Sequence, residues 1–195
     1  GAVHVSQNLN VANNGQVIIE KGGKLSVAGR VVGAAQKGDE ASVIIHSDPQ
    51  GSGSLMHNTP GLHARVERYV GGNSGDWHML SAPVSGQIIQ GQSENDFSAG
   101  GFYTWSEAMQ HWVSYGSSLW AAVHENRPDF LPGKGYMVAF SFKEAVEEDN
   151  PVYTFEGTLH AGEMEMEIHS QAHRSDRYKG FNLLGNPYPS AIDWK

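Results

Sequence analysis

The feature that most constrains this chain is a series of very short β-branched runs set between small turn residues. Val3-His4-Val5, Leu9-Asn10-Val11, Val17-Ile18-Ile19, Lys24-Leu25-Ser26-Val27, Arg30-Val31-Val32 and Val43-Ile44-Ile45 follow one another near the start. Asn13-Asn14-Gly15, Lys21-Gly22-Gly23, Ala28-Gly29 and Lys37-Gly38-Asp39 punctuate them. Such runs are too short for helices, which need about ten residues or more. Branched side chains favour the pleated conformation, and Gly, Asn and Asp supply the corners. Strands this short, at such regular spacing, form stacked rungs or a meander. A weak internal repeat supports rungs. Gly15-Gln16-Val17-Ile18-Ile19 followed by Gly22-Gly23-Lys24-Leu25 is echoed by Ala41-Ser42-Val43-Ile44-Ile45 followed by Gly51-Ser52-Gly53-Ser54-Leu55. Residues 1–60 are therefore expected to form a β-solenoid-like segment with Val, Ile and Leu inward; an antiparallel meander is the alternative.

The pattern changes after the turn cluster Asn58-Thr59-Pro60-Gly61. Ala64 to Val70 alternates, with Val66 and Arg65 on opposite faces, as a half-buried strand does. Trp77 to Ser81, Gly135 to Phe140, Val152 to Phe155 and Gly180 to Gly185 also read as strands, the last of them buried. Glu163-Met164-Glu165-Met166-Glu167-Ile168 alternates, so Met164, Met166 and Ile168 are expected inward with three Glu outward. Trp105, Ala108, Met109, Trp112 and Val113 have helical spacing, yet their flanks are strand-like. A hairpin with a loop around Ser106 to Gln110 is the expectation, with a short helix as runner-up. The fold class is all-β: a β-sandwich over residues 61–195, jelly-roll-like in one form, preceded by the solenoid-like rungs.

Composition excludes several functions. There are 24 Gly in 195 residues, about one in eight, as a turn-rich β protein requires. With no Cys, disulfides, thiolate metal sites and Cys nucleophiles are ruled out. The formal charge of −8 disfavours nucleic acid and anionic membrane as partners. Protonating all 10 His would bring it to −8 + 10 = +2, so its sign depends on mildly acidic pH. No apolar run is long enough to span a bilayer as a helix, and no signal peptide is visible. The turn-rich end at Ile192-Asp193-Trp194-Lys195 reads as a cut inside a larger protein.

Four stretches occur together in a recognisable order: Trp77-His78-Met79-Leu80-Ser81-Ala82-Pro83-Val84, Pro132-Gly133-Lys134-Gly135-Tyr136-Met137-Val138, Phe155-Glu156-Gly157-Thr158-Leu159, and Gly180-Phe181-Asn182-Leu183-Leu184-Gly185-Asn186-Pro187-Tyr188-Pro189-Ser190-Ala191-Ile192-Asp193-Trp194. Together they resemble a module of large secreted and cell-surface proteins of Bacteroidetes, of a kind associated with type IX secretion. The resemblance implies export and an all-β fold, with a secreted or outer-surface location. It implies no activity.

Residue by residue, the chemistry is sparse. His169 and His173 are four apart, a zinc spacing on a helix, but they follow a strand pattern and lack both a neighbouring Glu and a third ligand. Glu147, Glu148, Asp149 and Asn150 are hard oxygens without the order of a calcium loop; Asp76 sits in a Gly-rich turn of the same ambiguity. Glu163, Glu165 and Glu167 would serve a glycosidase only across a cleft, and they share one strand face. Ser81 and Ser190 lack a nucleophile elbow. Gly185-Asn186-Pro187-Tyr188-Pro189 reads as a structural turn, with Tyr188 and Trp194 packed over the end of the sandwich. Tyr103, Trp105, Trp112, Tyr115 and Trp120 form the one aromatic cluster able to stack on sugar rings, unless it fills the core. The expected function is a non-enzymatic structural or adhesion module. Carbohydrate binding through those five aromatics is the alternative, and a glycan-active hydrolase the third reading. No catalytic residue, metal or cofactor is expected. Expected partners are the rest of a larger parent chain, a polysaccharide or cell-surface glycan, and a second copy through an open sheet edge.

Overall fold

The short runs do become strands, and they stack in parallel. The computed structural model describes residues 1–12, 15–33, 41–73, 75–91, 96–98, 100–139, 152–170 and 176–193. Strands β1 (Ala2–Val5), β2 (Leu9–Asn10), β3 (Val17–Ile19), β4 (Lys24–Val27), β5 (Val31–Val32) and β6 (Val43–Ile45) are followed by the small hairpin β7 (Ser47–Asp48) and β8 (Gly51–Ser52). Then come β9 (Ser54–Met56) and the longer β10 (His63–Tyr69). Ala2 pairs with Lys24 and Leu9 with Val31, a step of 22 residues. Val17 pairs with Val43, a step of 26, and Val43 with Ala64, a step of 21. All of these ladders are parallel, as is β4 with β9. The result is a three-sided coil with sheets β1-β4-β9, β2-β5 and β3-β6-β10. The repeat seen in the sequence is the structural one: Val17-Ile18-Ile19 lies in register on Val43-Ile44-Ile45, and Lys24-Leu25 on Ser54-Leu55.

Two forces hold the rungs. Ile19, Val27, Val31, Val43, Ile45, Leu55 and Leu62 fill the interior, and each buried side chain of this size is worth roughly 1.5–3 kcal/mol of transfer free energy. At the corner, side chains satisfy backbone donors that the turn frees. Asn8 Oδ1 accepts from Arg30 N–H at 2.9 Å and Thr59 Oγ1 from Val31 N–H at 2.7 Å. Gly29 is required there, because a Cβ would lie 2.5 Å from Asn8 Oδ1 and 2.7 Å from the Gln7 carbonyl oxygen. The far edge at β9 meets the chain end: the Pro189 carbonyl accepts Leu55 N–H at 3.2 Å.

The remaining elements are β11 (Trp77–Leu80), β12 (Val84–Ser85), β13 (Gly101–Ser106), β14 (His111–Ser114), helix α1 (Trp120–His124), β15 (Tyr136–Ala139) and β16 (Val152–Leu159). One face of the coil continues into this part. β10 pairs in parallel with β6 and antiparallel with β16, so the sheet reads β12-β16-β10-β6-β3. A second sheet reads β11-β15-β13-β14. An aromatic layer joins them. Phe155 of the first sheet lies 5.7 Å from Phe130, and Phe130 lies 5.5 Å from Phe102 of the second, with Phe97 against Phe130 and Phe155. The protein is thus all-β, with one five-residue α-helix among its described residues.

The hairpin expected at Trp105 is present. β13 and β14 pair Tyr103 with Ser114, Thr104 with Val113 and Trp105 with Trp112, around a turn in which Gln110 has φ of 53°. The helix falls later, at Trp120–His124, where the i, i+4 pair Trp120 and His124 is buried.

Two expected strands are corrected. Glu163 to Ile168 keeps its alternation, with Met164 and Met166 half-buried and the three Glu exposed, but it forms no ladder among the described residues. The methionines rest on the Pro132-Gly133 turn rather than on a neighbouring strand, and Ile168 is 67% exposed instead of inward. Gly180 to Gly185 is not a buried strand either. Only an isolated bridge pairs Leu184 with Lys134, and Phe181 is 58% exposed. Asn182 ties this segment by side-chain bonds: its amide donates to the His169 and Gly180 carbonyls and accepts His169 N–H. The turn Lys37-Gly38-Asp39, Asn13-Asn14, the acidic loop Glu147 to Asn150, His173 and Trp194 lie outside the described residues.

Candidate aromatic face and cleft

The five aromatics do not form one cluster. Strand alternation and the helix divide them. Trp120 is 7% exposed and belongs to the core, stacked on His124 at 4.6 Å and edge-on to Phe102 at 5.9 Å. Tyr115 packs against the same core, 5.2 Å from Trp120, with its hydroxyl donating to Gln90 Oε1. Tyr103, Trp105 and Trp112 point the other way, onto the outer face of the β11-β15-β13-β14 sheet, and are half-buried.

That outer face has a definite layout. Trp105 and Trp112 are cross-strand partners with ring centroids 5.6 Å apart, edge to face. Tyr178 lies 5.9 Å beyond Trp105, and Phe181 5.9 Å beyond Tyr178. A second group lies beside it. Trp77 stands edge-on to Tyr103 at 5.5 Å and is 52% exposed; Met79, 65% exposed, pairs with Met137, which pairs with Tyr103. Gly101 makes room for the indole, since a Cβ there would lie 2.6 Å from the Trp77 ring. Bare glycine on a strand is thus covered by a cross-strand aromatic. The register places Trp77, Met79, Gly101, Tyr103, Trp105, Trp112, Ser114, Met137 and Ala139 on this face, and none of them carries a charge. Trp77, Met79, Tyr178 and Phe181 were not among the sequence candidates. The alternation Trp77-His78-Met79 was the available signal for the first two.

The inner face is closed by a polar chain of fixed direction. Leu131 N–H donates to Tyr136 Oη at 2.9 Å, the Tyr136 hydroxyl donates to His124 Nε2 at 2.7 Å, and His124 Nδ1–H donates to the Arg127 carbonyl at 3.2 Å. This direction requires a neutral imidazole. Burial, helped by the nearby Lys134 charge, pushes the His124 pKa down to about 4, while burial pushes the Tyr136 phenol up.

Beside Trp105 the surface opens into a cleft of about 540 Å³. The β13–β14 turn, α1, the Leu131–Lys134 segment and residues 165–169 and 182–184 form its walls. Its two cations are already engaged. Arg127 makes a bidentate pair with Asp129, at 3.0 and 2.6 Å, and Lys134 Nζ donates to the Val123 carbonyl at 2.6 Å. Burial lowers the Lys134 pKa, and the Arg127 hydrogen bond holds Asp129 below the usual carboxylate range. Glu107 is buried and accepts Gly180 N–H at 3.0 Å, which ties the C-terminal segment to the hairpin turn.

The other candidates have local structural tasks. Ser81 donates to the Asn186 carbonyl at 2.9 Å. Asn186 Oδ1 accepts Tyr188 N–H at 2.9 Å and its Nδ2 donates to the Ser190 carbonyl at 2.6 Å, closing the Pro-Tyr-Pro turn. Tyr188 donates its hydroxyl proton to the Gly162 carbonyl at 2.8 Å. Asp76 accepts from Asn73 N–H at 2.7 Å within its own turn. Among the described residues no three His, Asp or Glu side chains converge as a metal site, and no helix is long and apolar enough to cross a membrane.

A family model described as a domain of unknown function (DUF8693) matches residues 2–195, and the chain belongs to that family. No curated protein and no solved structure matches it.

Proposed function

We propose that this domain is a non-enzymatic adhesion module of an exported bacterial surface protein, and that it holds glycan on the outer face of the β11-β15-β13-β14 sheet. The observation that carries the proposal is the half-exposed Trp105–Trp112 cross-strand pair, prolonged by Tyr178 and Phe181 into a row of rings. Apolar side chains are left in water on an ordered sheet, where a contiguous patch marks an interaction surface. The occupant has to suit a sheet face of uncharged rings and thioethers, with the Arg177 guanidinium 5.3 Å from the Tyr178 ring centre beside it. A sugar ring does so: one of its faces is apolar C–H, and its hydroxyls stay hydrated at the rim. Each ring stacked in this way is worth about 1–3 kcal/mol, judged from bases stacked on aromatic side chains. Export and surface location rest on the resemblance of the Trp77–Val84 and Gly180–Trp194 patterns to secreted and surface proteins of Bacteroidetes.

Affinity electrophoresis against a panel of soluble polysaccharides tests the proposal. At least one polymer should retard the native protein, and Trp112→Ala should remove the retardation without lowering the melting temperature by more than a few degrees. Equal mobility of native and variant protein in every gel would overturn it.

A further inference from the structure

The aromatic row and the cleft share one residue. Trp105 is ringed by Trp112 and Tyr178 on the outer face and also forms part of the cleft wall. A chain lying along the row therefore passes the cleft mouth, whose volume falls within the range of small-molecule sites.

The charges of the cleft sort by availability. Both cations have protein partners: exposed Arg127 pairs with Asp129, and half-buried Lys134 donates to the Val123 carbonyl. Glu125, Glu165 and Glu167 line the same cleft and are exposed. Buried Glu107 adds a fourth carboxylate to the lining. Carboxylates thus outnumber the fixed cations of the lining, four Glu against Arg127 and Lys134, and Arg127 is itself matched by Asp129. Sugar hydroxyls donate to carboxylates, and such charge-assisted bonds are shorter and stronger than neutral ones. A uronate or sulfate would instead meet this excess of like charges with its own acceptors, and would have to compete with Asp129 for Arg127 and with the Val123 carbonyl for Lys134.

We infer that the cleft beside Trp105 receives uncharged sugar units of the glycan bound on the aromatic row, and that its exposed carboxylates exclude acidic sugars. The inference rests on the glycan reading and adds to it a second contact and a selectivity. Trp105 supplies the apolar wall at the point where the row meets the cleft. Glu125, just after α1, and Glu165, on the C-terminal segment, accept hydrogen bonds from sugar hydroxyls. Discrimination comes from repulsion as much as from attraction.

The test uses the whole domain, with neutral β-glucan and mannan set against polygalacturonate and alginate, and poly-L-lysine as a cationic control. Ala108→Trp and Ala122→Trp plug the cleft from exposed positions on the β13–β14 turn and on α1. Glu125→Lys combined with Glu165→Lys reverses its sign. A neutral polymer should bind the native domain about tenfold or more tighter than the polyuronates, a difference of about 1.4 kcal/mol. The plugs should weaken that neutral binding by about tenfold with the melting temperature unchanged, and the charge reversal should raise polyuronate binding by about tenfold. If a neutral polymer binds and Trp112→Ala abolishes binding while the plugs change nothing, the row alone binds: the cleft inference falls and the glycan reading stands. If no polysaccharide binds, the glycan reading fails and takes the inference with it. If poly-L-lysine is the probe that binds and is displaced by the plugs, the cleft is a site for a basic polypeptide and the inference is wrong.

Discussion

The two faces of the β11-β15-β13-β14 sheet come from the same strands by alternation, yet their fates differ. Inward lie Phe102, Thr104, Val113, Tyr136 and Val138, all buried. Outward, one residue away in each strand, lie Tyr103, Trp105, Trp112 and Met137, all partly exposed. The strands cannot tell these faces apart, since both are rich in aromatic and apolar residues. The distinction is imposed from outside the sheet. Phe97, Phe130 and Phe155 arrive from other segments and cover one face only. Alternation thus decides which residues travel together, and a distant segment decides which set becomes core.

The comparison breaks most readily at Phe130. Its ring is fully buried and lies 5.0 Å from Phe97, 5.5 Å from Phe102, 5.0 Å from Tyr136 and 5.7 Å from Phe155. Phe130→Ala should cost about 3–5 kcal/mol in equilibrium denaturation, the usual range for a large aromatic left as a cavity. A cost no larger than that of Trp112→Ala would mean that the inner face is not the one that carries the fold.

Acid should act on the same face. The His124 pKa is depressed in the folded state to about 4, against an ordinary value of 6.5. Between those values the unfolded chain binds the extra proton, so stability is complete above about pH 6.5 and falls as pH drops toward 4. The largest loss from this group is about 3 kcal/mol. His57 and His160, which burial also pushes down, act with the same sign. Melting temperature followed from pH 7 to pH 4.5 should decline, and His124→Gln should flatten the decline. An unchanged slope in that variant would show that the Leu131–Tyr136–His124–Arg127 chain does not depend on a neutral imidazole.

On the outer face the order of effects should reverse. Trp112 is half-buried, and its main ring contact is its cross-strand partner Trp105. Trp112→Ala should cost only about 0.5–1.5 kcal/mol, the scale of an aromatic pair, because no closed cavity forms. Glycan binding should nevertheless be lost. A cost of about 3–5 kcal/mol would place Trp112 with the core residues after all.

The sequence disclosed the coil more fully than the site. In the first sixty residues each rung is read locally: β-branched runs, corner glycines and a repeat whose two copies, Val17-Ile18-Ile19 and Val43-Ile44-Ile45, are direct ladder partners. The site depends on long-range choices. Trp105 and Trp112 sit seven apart, a helical spacing, and only the pairing across Gln110 puts them side by side as strand residues. Trp120 looked like a member of their group but opens helix α1 beyond a turn and packs into the core. Glu163 to Ile168 shows the opposite failure. Its alternation is that of a strand, yet no ladder partner pairs with it among the described residues, and Asn182 holds the adjoining His169 with side-chain bonds. Nor could sequence show that Glu107, Glu125, Glu165 and Glu167 would line one cleft with only Arg127 and Lys134 as its fixed cations, the first paired with Asp129.

The smallest expected effect lies one residue from a large one. Met79 and Leu80 are neighbours on β11. Met79 points outward and is 65% exposed, whereas Leu80 is half-buried and packs against the core. Replacing each by Thr leaves a residue that the pleated backbone favours, so strand propensity is not what the pair of variants compares. At Met79 no cavity opens and little apolar surface returns to water, because most of the side chain is already there. Met79→Thr should therefore stay within about 0.5 kcal/mol of the native stability, as exposed substitutions generally do. Leu80→Thr buries a hydroxyl where methyl groups packed, and should destabilise by about 1–3 kcal/mol through lost burial and an unpaired polar group. Paired denaturation curves decide the matter. If Met79→Thr costs as much as Leu80→Thr, the outer face is packed against something, and the asymmetry from which the binding surface was argued does not exist.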